Sequence, residues 1–205
     1  MASKIQVINV ALRHLAEQPI GAIDEGSEAA NVMSDLYDYA LEDEIRRFPY
    51  TWATRTSTLA QIEDETPPDY AYVYQLPADY LMIDRIIDNR TSTTYSTDNR
   101  DYNNINMRYR EWAIREDKLY INSSSICLEY RVLEIDTTKW DPNFVMAFSY
   151  KLAELAGPSI TESERLIARA ERNYIRHINE ARASNGNERN RDTRLSEDYL
   201  NARNA

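Results

Sequence analysis

The period of the hydrophobic residues changes twice along this chain, and no other feature constrains its fold as much. Ile5, Ile8, Leu12 and Leu15 recur at helical spacing, as do Met33, Leu36, Tyr37, Ala40, Leu41 and Phe48. Between about Tyr50 and Trp140 the apolar residues alternate instead, as in Tyr72/Tyr74, Trp112/Ile114, Leu119/Ile121 and Ile126/Leu128/Tyr130/Val132. The helical period returns in Phe144, Val145, Phe148, Leu152 and Leu155, and again in Ile167, Ala170, Tyr174, Ile178 and Ala181. Side chains share a face every 3.6 residues in a helix and every second residue in a strand, so the two patterns demand different backbones. The expected class is therefore α+β. A four-helix bundle core formed by residues 1–49 and 141–183 carries an inserted antiparallel β-rich region over 50–140, and an extended, flexible C-terminal tail covers 184–205.

Local signals place the boundaries. Pro19 and Gly21 interrupt the first helix, leaving Ile20 and Ile23 in an extended connector. Ser27 is placed to cap the second helix, and Pro49 stops it after Phe48. Thr51–Leu59 and Leu81–Ile87 read as strands, and 89–106 as a long exposed loop rich in Thr, Ser, Asn and Asp. Glu116-Asp117 marks a turn in what reads as an antiparallel meander. Asp141-Pro142 pairs a cap with proline at the first helical position, and Gly157-Pro158 is expected to end that helix. Thr161-Glu-Ser-Glu164 has the form of a capping box opening a fourth helix to about Ala183.

The residues that most enzyme signatures need are scarce. With four glycines there is no GxGxxG or Walker loop, and with Cys127 alone there is no internal disulfide framework or Cys-based zinc cluster. His14 and His177 lie far apart and form no HxxxH pair; His177 flanks an apolar helix face and reads as structural, and Cys127 reads as core. Glu63-Asp-Glu65 and Asp69 put carboxylates on a loop, but no spacing selects an acid and a nucleophile among them. Tyr102–Arg115 mixes aromatics with arginine, as a nucleic-acid surface does, yet its mixed charge favours a strand or interface. No catalytic, cofactor or metal residue is expected, and the chain reads as no enzyme. No apolar run reaches the roughly 18 residues of a membrane span, so no membrane anchor is expected of a soluble chain made in a reducing compartment.

Charge is unevenly placed. The formal net charge is −10, and nine of those ten charges lie in residues 1–80. On the fourth helix Arg165, Arg169, Arg172 and Arg176 fall on one side, opposite its apolar residues. On the second, Glu28, Asp35, Asp38 and Glu42 cluster away from Met33, Leu36 and Ala40. Two readings stand: solvated helix faces, or complementary rows that pair at an interface between subunits. Twenty of the 24 basic residues are arginine, which together with tyrosine is enriched at interfaces and leans toward assembly.

Several segments in order resemble one family. They are Ala11-Leu-Arg-His-Leu-Ala-Glu-Gln-Pro-Ile20 with Ala22-Ile-Asp-Glu-Gly-Ser-Glu-Ala-Ala30, then Arg46-Arg-Phe-Pro-Tyr-Thr-Trp-Ala53 with Leu59-Ala60. Tyr74-Gln-Leu-Pro-Ala-Asp79, Trp140-Asp-Pro-Asn-Phe-Val145 before Leu152-Ala-Glu-Leu-Ala156, and Tyr199-Leu-Asn-Ala-Arg203 complete the likeness. Together they resemble the head-to-tail adaptors of short-tailed bacteriophages, also called tail tubular protein A. Two departures stand out: Ala16 occupies a position where the family often has glycine, and Tyr50/Trp52 replace a commoner Trp-x-Phe.

The resemblance implies a homo-oligomeric ring, typically a dodecamer, beneath the portal protein of a capsid. Its other side would receive a tail nozzle of the tubular protein B type, with tail fibres or spikes attaching nearby. Such a protein belongs to the neck of the virion and is present in the host cytoplasm during assembly. The C-terminal segment would order on the portal, with Arg191, Arg194, Leu195, Tyr199, Leu200 and Arg203 as docking residues. Genomic DNA would pass through without specific binding. DNA affinity comes from neutralising phosphates with Lys and Arg, so a bore that lets DNA slide should be acidic. Glu63, Asp64, Glu65 and Asp69 are the expected channel-facing carboxylates. The competing classes are a virion-associated hydrolase of cell-envelope glycan and a generic oligomeric interaction domain.

Overall fold

The structure, a computed structural model, describes residues 3–65, 67–88, 94–96 and 112–188. Its architecture is α+β, with four helices and two antiparallel sheets among the described residues. The chain divides into two compact units. The first joins the N-terminal residues through Met33 to the chain from Thr138 onward, and the second is Ser34–Thr137.

The first unit is helical. It contains α1 (Lys4–His14), the first turn of α2 (Glu28–Arg47), α3 (Pro142–Ile160) and α4 (Glu164–Glu188). Ser3 and Gln6 form a reciprocal capping box on α1, which buries Val7, Ile8, Ala11 and Leu12. Both α1 and α4 pack on α3, whose Phe144, Phe148 and Leu152 are fully buried. Trp140 sets its edge against both phenylalanines, with ring centroids 5.2 and 5.5 Å away.

The turn after α1 follows from its backbone donors. Ala16 N–H donates to Arg13 O (3.1 Å) and Glu17 N–H to Leu12 O (3.0 Å), the paired bonds of a Schellman motif. That motif needs a left-handed residue, and Ala16 supplies it at φ 61°. Asn9 then holds the connector, accepting from Ile20 N–H (2.8 Å) and donating to Ile20 O (3.0 Å). Ser27 caps α2 as expected, its Oγ accepting from Ala30 N–H at 3.2 Å.

Three expectations for the C-terminal helices change. Gly157-Pro158 does not end α3, which continues to Ile160. A proline in the last turn forfeits one intrahelical bond, and Thr161 N–H still reaches Gly157 O at 2.9 Å. Gly157 is used for close approach: a Cβ there would lie 2.6 Å from Ile167 Cγ1 of α4. The Thr161 hydroxyl accepts from Ser163 N–H (3.3 Å), so the sequence forms a tight turn before Glu164 and not the reciprocal box. Finally, α4 runs past Ala183 to Glu188. Ser184 Oγ donates to Asp141 Oδ2 (3.1 Å) and Asn185 is buried, so residues 184–188 belong to the fold.

The second unit holds the rest of α2, a single 3-10 turn at Thr51–Ala53, and seven strands. These are β1 (Thr54–Thr58), β2 (Tyr72–Gln75), β3 (Tyr80–Asp88), β4 (Thr94–Ser96), β5 (Trp112–Arg115), β6 (Lys118–Ile121) and β7 (Ile126–Val132). One sheet has the order β1-β7-β3-β4 and the other β2-β6-β5, all antiparallel. Ile83, Ile86, Ile126, Leu128 and Tyr130 of the first share one core with Tyr74, Leu119 and Ile121 of the second.

Here too the structure corrects the sequence reading. The expected loop over 89–106 contains β4, paired to Arg85–Ile87 of β3; the rest of that loop lies outside the described residues. The meander is broken: β5 and β6 pair across the Glu116-Asp117 turn, but β7 joins the other sheet. The polar run Asn122–Ser125 carries the chain across, and Ser123 O is fixed there by Tyr74 Oη at 2.9 Å. Cys127 is half-buried and faces away from the core, because Ile126 and Leu128 on either side of it point in.

The C-terminal end of α2 is bonded to the first sheet. Arg131 of β7 donates to Ile45 O (2.9 Å) and Arg46 O (2.6 Å) at the end of that helix. The same guanidinium grips Asp84 through Nε (2.8 Å) and Nη2 (2.5 Å), and both side chains are nearly inaccessible. One buried arginine thus satisfies orphan helix carbonyls and a carboxylate together, tying the C-terminal half of α2 to the sheet.

Candidate functional site

The first surface is built on α4. Ala170, Ile178 and Ala181 are buried, which fixes the rotation of the helix and turns Arg165, Arg169, Arg172 and Arg176 to solvent. Each of the four has another of these arginines at i±3 or i±4, and Arg176 Nη2 lies 3.1 Å from His177 Nε2. Like charges at that spacing destabilise a helix by roughly 0.2–0.5 kcal/mol per pair.

The acidic row on α2 is not uniform. Glu28, Asp35 and Asp38 lie on the exposed side of the helix, and Glu42 is engaged by Arg46 through an i, i+4 pair at 2.8 Å. Asp43 and Arg47 repeat that arrangement one residue on.

Between α1, α3 and α4 lies a cluster that sequence spacing gave no means to find. The His14 ring stacks on Tyr150, with centroids 3.8 Å apart and planes 11° from parallel. His177 stacks on Tyr150 as well, at 5.3 Å and 5°. Both histidines of the chain, 163 positions apart, thus converge on one tyrosine. His14 Nε2 sits 3.3 Å from Ser149 Oγ, while that hydroxyl donates to Met146 O at 2.7 Å. The serine proton is therefore committed to a carbonyl, and His14 supplies the proton of its own contact, the reverse of a nucleophile–base pair. Burial pushes the His14 pKa down to about 4, helped by the positive charge of Arg169 and then by His177. His14 is consequently a neutral imidazole at pH 7. His177 faces Glu180, with Nδ1 3.1 Å from Oε2.

Neither the protein-family models nor the curated proteins contain a match to this chain. Its function must be argued from its own residues.

The carboxylates expected to face a channel separate into two kinds. Glu65 is bonded by Lys118, whose ammonium is held above the ordinary lysine pKa by that contact, and Asp69 lies 3.7 Å from Arg115. Glu63 and Asp64 are exposed, and no ion pair engages them among the described residues. The docking residues Arg191, Arg194, Leu195, Tyr199, Leu200 and Arg203 lie outside the described residues, as does the Tyr102–Glu111 part of the aromatic–arginine segment. Among the described residues no group of three or more His, Cys, Asp or Glu could hold a metal, and no helix is long and apolar enough to cross a membrane.

Proposed function

We propose that the chain is a structural virion protein, the subunit of a head-to-tail adaptor ring that joins a portal to a tail nozzle and lines part of the DNA channel. The observation that carries this reading is the backbone at Ala16. The family it resembles often has glycine there, and this chain adopts φ 61° at that residue to close a Schellman motif. A left-handed residue is what makes glycine the favoured choice, so the backbone at this position is one that the glycine common in that family would suit.

Other segments of the likeness also sit at junctions between elements. Tyr74–Asp79 forms the β2–β3 connection, where Asp79 bonds Arg55 at 2.5 Å and Tyr130 Oη at 3.1 Å. Trp140-Asp-Pro opens α3, with Asp141 Oδ1 accepting from Asn143 N–H at 2.6 Å. Junction residues determine topology, so likeness at them supports likeness of fold. For a channel, Glu63 and Asp64 are the carboxylates best placed to repel phosphate, since Glu65 and Asp69 are occupied.

The test is to mix the chain with purified portal rings and measure the size of the product. A ring-sized complex is expected, and it should be lost on deleting residues 190–205 while the monomer stays folded. No complex, or a complex indifferent to the deletion, refutes the reading. Turnover of cell-envelope glycan in a zymogram, abolished by Glu63→Gln and Glu65→Gln, would replace it with a hydrolase.

A further inference from the structure

We propose that the solvent face of α4 pairs with the same face of a second copy of this chain, the two helices parallel about a two-fold axis and Ile175 set against its counterpart. The contact stands on α4 alone and is independent of the adaptor reading.

The face is a ridge between two stripes of opposite charge. At about 100° per residue, Ala168 and Ile175 fall close to one line along the helix. Glu164 and Glu171 lie about 40° to one side of it, and Arg165 and Arg172 about 60° to the other. All six are exposed. Ile175 is 52% exposed, more than any other large apolar side chain of the helical unit among the described residues.

These charges are not paired within the subunit. Neither glutamate has an arginine three or four residues away, the spacing an intrahelical pair needs. Among the described residues no ion pair engages Glu164, Glu171, Arg165 or Arg172. Glu164 in the first turn complements the helix N-terminus, but Glu171 lies two turns further in and gains nothing from it.

The arrangement selects both the occupant and its direction. A two-fold axis parallel to the helices brings the glutamate stripe of each copy against the arginine stripe of the other, so both edges of the ridge attract. An antiparallel pair would set glutamate on glutamate and arginine on arginine, which repels. Symmetry about the parallel axis allows no stagger, so each residue stands level with itself in the other copy. Glu164 is then offset from Arg165 of the other copy by about 1.5 Å along the axis, and Glu171 from Arg172 by the same amount. The ridge is narrow, so the contact is of the weak, reversible class. Its ion pairs set direction, and Ile175 supplies the apolar burial.

The experiment is sedimentation equilibrium of the full chain at low ionic strength, up to about 1 mM to reach a weak contact. Wild type should form dimers that salt weakens. Glu164→Lys/Glu171→Lys and Arg165→Glu/Arg172→Glu should each associate about tenfold or more weakly, because like stripes then meet. Their equimolar mixture should recover wild-type association, since every edge again joins opposite charges. Ile175→Ala should weaken the dimer about tenfold and keeps the test decisive if a reversal fails to fold. Direction is read by mild oxidation in a Cys127→Ser background: Ala168→Cys and Asn179→Cys should each give a disulfide-linked dimer, as only a parallel pair sets both positions against themselves. A wild-type chain that stays monomeric, reversals or Ile175→Ala that associate as wild type, a mixture that does not recover, or cross-linking at one position alone would each overturn the proposal. Portal binding is measured in parallel: if it persists while dimers are absent, this contact is wrong and the adaptor reading stands.

Discussion

Acidification should destabilise this protein through His14, and the size of the effect follows from where the ring sits. In the folded chain its pKa lies at about 4, against 6.5 for a free histidine, because burial and then the Arg169 charge disfavour the imidazolium. The unfolded chain therefore binds a proton more readily. The contribution is fully present above about pH 6.5, is lost as the pH falls toward 4, and does not decline further below that. The full shift of 2.5 units corresponds to about 3.4 kcal/mol at 1.36 kcal/mol per unit. The ring is only half-buried, and solvent screens its interaction with the exposed Arg169, so about 1–2 kcal/mol is the expected loss. Urea unfolding followed by circular dichroism between about pH 7.5 and pH 4.5 measures it, with His14→Gln as the control. The variant removes the titration and keeps a polar group toward Ser149, so its stability should decline less over the same window. Equal losses in the two proteins would refute the argument, because the shared decline would then belong to other groups, such as the Glu25 carboxylate held low by Ser27 and the Gly21 and Ala22 amides.

Three further outcomes are expected. Ala16→Gly should stabilise the chain by about 1 kcal/mol, read as a higher Tm, because it relieves a left-handed alanine and keeps the Schellman bonds. Gly157→Ala should destabilise by about 1–3 kcal/mol despite alanine's better helix propensity, since the new Cβ meets Ile167 Cγ1 at 2.6 Å. Denaturant unfolding of the pair with Ile167→Ala should then show a cost below the sum of the single changes. Asp84→Ala should cost about 3–5 kcal/mol, because it strips the carboxylate from the buried Arg131; a loss below about 1 kcal/mol in urea unfolding would show that the helix carbonyls alone satisfy that guanidinium.

The legible part of this fold was the part encoded locally. Periodicity separated helix from strand, Ser27 and Asp141 were readable as caps, and Glu116-Asp117 was readable as a turn, because each depends on residues within about one helical turn of one another. Gly157-Pro158 misled because the same pair that terminates isolated helices also permits the close passage of a second one. Which use applies depends on Ile167, and nothing near residue 157 reveals it. The paths of β6 and β7 were unreadable for a related reason: alternation says which face a residue takes and nothing about which strand is its neighbour.

The sequence by itself determined the α+β class, the helical faces and the polarity of the charge, since these are sums or periods over neighbouring residues. Arg165, Arg169, Arg172 and Arg176 were a row before any coordinates. Only the tertiary structure decided what each charge meets. It turned the arginine row outward, paired Glu42, Glu65 and Asp69 with Arg46, Lys118 and Arg115, and brought His14 and His177 onto Tyr150. The physical reason is range: hydrogen bonds, ion pairs and stacking act over a few ångströms, and only packing brings residues 163 positions apart within that distance.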